Sequence, residues 1–318
     1  GIFQWNKDIG KPKLAGSATY DTASQTYNIT AGGANIWGTR DEFHYLYNRL
    51  EGDFILTANF EFVGEKQNHR KMGWMVRANE NDDAMMIGGV LHGDGLTAAQ
   101  WREGNGTEMK SPENEIWASK RFFSIIQLER KGNRFILRVA HPGEPLQEIG
   151  SQALETMPDA VFAGIVLSSH DENNLETAKI WNLRIDQPVP DSYNPGKEGW
   201  LGCRLETMNV FDGKRNVMYE KDGRFEAPNW MPNGKELLFN MEGSLFTIPV
   251  GGGEIKKLNT GSANEINNDH CISFDGKMLG ISSSSGKGSN VYVLPLHGGE
   301  PLAVTTESPS YLHGWAPN

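Results

Sequence analysis

His270 and His313 stand at one point of a repeating pattern. Each lies five residues before an Asn or Asp that opens a turn, Asp275 and Asn318, while the third equivalent position, five before Asn233, is Pro228. If the repeats are built alike, equivalent side chains converge on one place. Two convergent imidazoles suit a divalent metal, a sugar carboxylate or acid–base work. Asn268 and Asp269, just before His270, are the nearest further donors. With only these groups a metal site is half-built, so no tightly held metal or other cofactor is expected. The plain alternative is that both imidazoles bond to neighbouring backbone.

A second set lies in the first 186 residues: Trp37, Arg77, His92, Arg102 and His170, with Arg40, Asp41, His44 and Gln100 nearby in type. Arg, Gln and His on one sheet face beside a Trp make a carbohydrate groove, a flat ring for a sugar face and fixed donors for its hydroxyls. The alternative is a row of solvated polar positions. No acidic pair stands out as a glycosidase dyad, and there is no GxSxG, HExxH or phosphate-binding glycine loop. Whether the chain is an enzyme stays open at this point.

The elements that carry these residues are legible from pattern. Leu205–Tyr219, Leu245–Asn259 and Val291–Thr305 are each an apolar strand, a Gly-centred turn and a second strand, starting 40 and 46 residues apart. A turn motif is interleaved with them: WMPNGKELLF from Trp230, ISFDGKMLGI from Ile272, and WAPN from Trp315 to the last residue. This rhythm predicts a partial β-propeller of about three blades over 201–318, and the break inside a turn motif leads us to expect a longer natural chain. Residues 1–186 lack the repeat but alternate: Phe54, Leu56, Ala58, Phe60 and Phe62 fall on one face of a strand, and Phe135, Leu137 and Val139 on another. Further strands are predicted over 27–31, 73–78, 85–92, 122–129, 161–168 and 178–185, with one short helix near 112–119. Many strands without an amphipathic helix predict a two-sheet β-sandwich. The stretch 187–200, with Pro188, Pro190, Pro195, Gly196 and Gly199, reads as a linker.

Composition limits the partners. Net charge is −10 over 318 residues, which argues against a nucleic-acid surface. No apolar run is long enough for a membrane-spanning helix. The two cysteines, Cys203 and Cys271, make no disulfide framework and no CxxC motif.

Several runs resemble a known family. DIG (8–10), SATYD (17–21), NIWGTRDEFHYLY (35–47), GDFILTANFEFV (52–63), HRKMGWMVR (69–77), LHGDG (91–95), LERKGNRF (128–135) and GIVLSSH (164–170) resemble a bacterial concanavalin-A-like lectin/glucanase sandwich. That fold hosts both lectins and glycosidases, so the resemblance bears on fold more than on chemistry. The second part is similar to TolB-type propeller repeats, whose turns read Ser/Trp-Pro-Asp-Gly-Lys; here Asp survives only at Asp275. The repeats also resemble oligogalacturonate lyases, which hold a metal with His and Gln near the channel; His270 and His313 match those ligands in kind only. The resemblance implies a secreted protein of the bacterial periplasm or envelope. It would bind a carbohydrate or envelope polymer, with the propeller as a docking platform for another envelope protein. A glycan-processing lyase or hydrolase and a non-catalytic TolB-like scaffold are the alternatives.

Overall fold

The computed structural model describes residues 1–284, 286 and 288–317. The chain divides into two compact units: Gly1–Pro190 with Val210–Lys214, and Asp191–Asn209 with Arg215–Asn318. Asn318, which sets the register of His313, lies outside the described residues.

The first unit is built of β1 (Trp5–Ile9), β2 (Ser17–Asp21), β3 (Thr26–Ala31), β4 (Ile36–Trp37), β5 (Arg40–Asp41), β6 (Phe43–Leu50), β7 (Phe54–Phe62) and β8 (Lys71–Arg77). It continues through β9 (Met86–His92), β10 (Thr97–Arg102), β11 (Glu115–Trp117), β12 (Ile125–Lys131), β13 (Arg134–Ala140), β14 (Gln147–Ala153), β15 (Val161–Ser168) and β16 (Glu176–Asp186). Two seven-stranded sheets result, ordered β1-β6-β15-β8-β9-β10-β11 and β14-β13-β12-β7-β16-β3-β2. The region read as a short helix is instead β11, paired antiparallel with β10 at the sheet edge. Helix propensity there gives way to a strand partner that satisfies the backbone.

The inner faces follow the period of two. Met72, Trp74 and Val76 of β8 meet Leu56, Ala58 and Phe60 of β7 and Ile126 and Leu128 of β12 in one continuous core. Trp74 is fully buried, and its Nε1 donates to the Ile126 carbonyl 3.2 Å away, a bond from one sheet to the other. Trp74→Phe keeps most of the apolar volume and removes that bond. It should cost about 1–2 kcal/mol in urea unfolding; an unchanged midpoint would show that the bond contributes nothing.

The outer face of the first sheet is covered in part. Ile9, Phe43, Tyr45, Tyr47, Met75, Met86, Val90 and Val166 form a second cluster there, closed by Ile36 and Met109. Ile36 belongs to the β4–β5 hairpin, whose Ile36 carbonyl and Trp37 ring reach Lys71 at the start of β8. The groove lies at that end.

The second unit contains a four-residue helix α1 (Pro195–Glu198), the pair β17 (Gly202–Met208) and β18 (Arg215–Asp222), and two four-stranded antiparallel sheets. The first is β19 (Phe225–Trp230), β20 (Glu236–Met241), β21 (Ser244–Pro249) and β22 (Lys256–Lys257); the second is β23 (Ile266–Ile272), β24 (Met278–Ser284), β25 (Ser289–Pro295) and β26 (Leu302–Ala303). Leu238 and Leu245 of the first pack against Ile266, Leu279, Ile281 and Leu294 of the second. In both sheets the same turn joins the first strand to the second. The Asn233 carboxamide accepts from the Lys235 amide at 2.9 Å, and the Asp275 carboxylate from the Lys277 amide at 3.1 Å. The glycines between, Gly234 and Gly276, have φ of 64° and 68°, where a Cβ would be strained. Asn and Asp therefore serve this turn alike.

Candidate ligand groove

Register fixes which side chains share the outer face. Lys71 of β8 lies opposite His92 of β9, Gly73 opposite Val90, Met75 opposite Gly88, and Arg77 opposite Met86. β10 extends these rows, Ala98 beside Val90, Gln100 beside Gly88 and Arg102 beside Met86. β11 adds Trp117 beside Ala98 and Glu115 beside Gln100. The face thus runs from Lys71 and His92 at one end to Arg77 and Arg102 at the other.

The two ends do different work. Arg77 and Arg102 are fully buried and share Asp41, which is also fully buried. Arg77 Nη1 reaches Asp41 Oδ2 at 2.6 Å, and Arg102 Nη2 reaches Asp41 Oδ1 at 2.7 Å. Arg102 also donates to the carbonyls of Gly38 and Ala84, and Arg77 to that of Asn81. These arginines, expected at a ligand site, are interior residues that fasten the β4–β5 hairpin to the sheet. The hairpin above them removes them from the groove.

At the other end a groove of about 380 Å³ is lined by Trp37, Lys71, His92, Gln100 and His170 together with Asn35, His69, Asp94, Leu96, Glu115 and Trp117. It brings together four of the expected residues, Trp37, His92, Gln100 and His170, and adds others, among them His69, Lys71 and Trp117. His69 lies against His170, ring centroids 5.3 Å apart, and 6.4 Å from His92. His170 has φ of 55°, a left-handed conformation uncommon for a residue with a Cβ. Such strain persists where the surroundings enforce it, often at functional positions.

The polar groups of the groove are incompletely bonded. His92 and Gln100 are buried, and His92 Nε2, Gln100 Oε1 and His170 Nδ1 have no hydrogen-bond partner among the described residues. Gln100 Nε2 donates to Glu115 at 3.2 Å. Lys71 Nζ donates to Asn35 Oδ1 at 3.1 Å and to the Ile36 carbonyl at 2.8 Å, and sits 5.4 Å from the centroid of the Trp37 ring. Burial pulls Lys71 down to about 8 against the pull of Asp41 and Glu115. Burial also pulls His92 down to about 3, helped by the Lys71 charge, and moves His170 in the same direction for the same reasons. At neutral pH the groove therefore holds the Lys71 ammonium beside a free-base His92 imidazole. Trp117 is 57% exposed at the rim, with its ring available to a ligand.

The propeller-like histidines are placed differently. His270 is buried in β23, opposite Ile281 of β24, and burial lowers its pKa. His313 is exposed in a segment that is neither helix nor strand. Among the described residues no group of three or more His, Cys, Asp or Glu is arranged to hold a metal ion. Asn267 Nδ2 donates to Asp269 at 3.2 Å, a local contact in the same strand.

No family model matches the chain. An uncharacterized protein of Agrobacterium fabrum is 42% identical over 125 residues, which is 39% of this chain and 43% of that protein. The chain thus spans less than half the length of that relative. A solved structure provisionally assigned as TolB, from Agrobacterium tumefaciens, is 40% identical over 37% of this chain and 43% of its own, with a TM-score of 0.34. A legume lectin-like domain from Entamoeba histolytica is 9% identical over 58% of this chain and 90% of its own, with a TM-score of 0.41. The chain is all-β with sandwich-like sheets, and among the described residues no helix is long and apolar enough to cross a membrane.

Proposed function

We propose that the first unit is a carbohydrate-binding sandwich and that the groove around Lys71, His92, Gln100 and His170 holds a sugar of a bacterial envelope polymer. The observation that carries this reading is the pairing of ring faces with unbonded polar atoms in one concavity. Trp37 and Trp117 flank it, while His92 Nε2, Gln100 Oε1 and His170 Nδ1 line it without partners. A pyranose offers the complement, apolar C–H faces for the rings and hydroxyls that both donate and accept. Buried polar atoms left without a bond are costly, so a ligand that bonds them gains more than it would at an exposed face.

The second unit is read as part of a TolB-type β-propeller that serves as a docking platform, in a secreted protein of the periplasm or envelope. The internal repeat and the two like-built four-stranded sheets support that reading. His270 and His313 are proposed as ligand contacts only in a complete propeller.

The test is a screen of the full chain against an array of bacterial envelope glycans, repeated with Trp117→Ala. Trp117 is exposed, so its removal should leave folding intact and weaken glycan binding roughly tenfold or more, as loss of a stacking ring does. Binding that survives Trp117→Ala unchanged would move the ligand elsewhere. Free-base imidazoles can also act as proton acceptors. New reducing ends from a bound glycan, abolished in His92→Ala and His170→Ala, would turn the reading to a glycan-processing enzyme.

A further inference from the structure

The groove has a charge that nothing among the described residues answers directly. Lys71 is 4% exposed, yet its ammonium donates only to two neutral oxygens, Asn35 Oδ1 and the Ile36 carbonyl. Among the described residues no carboxylate lies within ion-pair distance of it. The acids nearby are engaged otherwise. Both oxygens of Asp41 are taken by Arg77 and Arg102, Asp94 pairs with Arg121 at 2.6 Å, and Glu115 accepts from Gln100. Buried charges are as a rule paired, because desolvating a lone ion costs far more than neutral contacts return. Every other strongly buried cation of this unit conforms: Arg70 has Glu176 at 2.9 Å, Arg77 and Arg102 have Asp41, and Arg130 has three backbone carbonyls and Asp159 at 3.9 Å. Lys71 is the exception, and it opens on the groove.

We infer that the groove is selective for an acidic sugar, a glycan residue bearing a carboxylate, with Lys71 as its charge partner. The inference rests on the glycan reading of the groove and narrows its ligand class. The carboxylate would supply the countercharge, while His92 Nε2 and His170 Nδ1 could each donate to it in the appropriate tautomer. Gln100 Oε1 is left to accept from a sugar hydroxyl. The titratable groups facing the site are Lys71, His69, His92, His170, Asp94 and Glu115. Burial has pulled Lys71 down to about 8. A bound carboxylate favours the ammonium, so affinity should fall as the pH rises through 8 and the free protein loses that charge.

The test compares galacturonate and mannuronate oligosaccharides with the same oligosaccharides after carboxyl reduction, by calorimetric titration of the full chain, with inorganic sulfate as a third arm. The acid form of at least one pair should bind roughly tenfold or more tightly than its reduced form, as expected for a charge-assisted contact. Lys71→Met should abolish that preference. It exchanges a lone buried charge for an apolar chain of similar length, so it should fold. If it does not, the wild-type protein still decides, because the preference must shrink between pH 7 and pH 10. Equal binding of acid and reduced forms overturns the inference and leaves the glycan reading standing. Sulfate that binds the Lys71 site as well as any acid sugar supports the charge partner but counts against the glycan reading. No binding by any acid form overturns the inference.

Discussion

Replacing Asp41 by Asn is expected to lower the unfolding free energy of the sandwich by about 3–5 kcal/mol, the usual result of breaking a buried ion pair from one side. The reason lies in where the charge goes. Asp41, Arg77 and Arg102 are all fully buried, and a single carboxylate neutralises two guanidinium groups in part through three hydrogen bonds of 2.6–2.8 Å. Asn keeps the shape and one acceptor but removes the negative charge, leaving two cations in a region of low dielectric. Backbone carbonyls of Gly38, Asn81 and Ala84 soften the loss without cancelling it. For a unit of this size the melting temperature should fall by roughly 10 °C. The groove should fail as well, because Trp37 and the Ile36 carbonyl that anchors Lys71 sit on the hairpin fastened by Asp41. Thermal and urea unfolding of Asp41→Asn measure the first effect, and glycan binding below the transition measures the second. A variant as stable as the parent would mean that water reaches the two guanidinium groups.

The same residues show what was legible in the sequence. Alternation over β7, β8 and β13 placed Arg77 on one face and the apolar core on the other, because period two is a local property of a strand. What covers that face is not local. β4 and β5 are two residues each, too short to show a period, yet they bury Arg77 and Arg102 and set the Ile36 carbonyl and the Trp37 ring beside Lys71 at the groove. His69 and Lys71 fall before the strand expected over 73–78; the strand begins at Lys71 and carries it inward. Glu115 and Trp117 were missed with β11, whose three residues have meaning only beside β10. In the second unit the Asn-Gly-Lys and Asp-Gly-Lys turns were readable because their chemistry lies within four residues. The pairing of His270 with His313 depended on a regular repeat, and the chain at His313 is not a strand.

The unliganded protein should become more stable as the pH rises through two separate windows. His92 is held near 3 against an ordinary 6.5. Between those values the unfolded chain binds a proton that the folded chain refuses, so stability falls as the pH drops below 6.5, by up to about 5 kcal/mol near pH 3. Lys71 is held near 8 against an ordinary 10.5. Below pH 8 it is charged in both states, and the folded state bears the full cost of burying it. Above pH 8 the folded state sheds the proton first, so stability rises toward pH 10.5 by up to about 3 kcal/mol. Burial raises the Tyr45 and Tyr47 phenols, which stay neutral in the fold when the unfolded chain ionises, so stability turns down again above about pH 10. A maximum on the alkaline side follows, unlike the usual optimum between pH 5 and 8. Urea unfolding from pH 4 to 10.5 measures the profile, and Lys71→Met assigns its alkaline limb. If the variant keeps that rise, Lys71 is not the group responsible and its buried charge is relieved in some other way. If the rise disappears in Lys71→Met, and in the parent protein when an acidic oligosaccharide is bound, then the same ammonium that strains the free fold is the one the ligand neutralises.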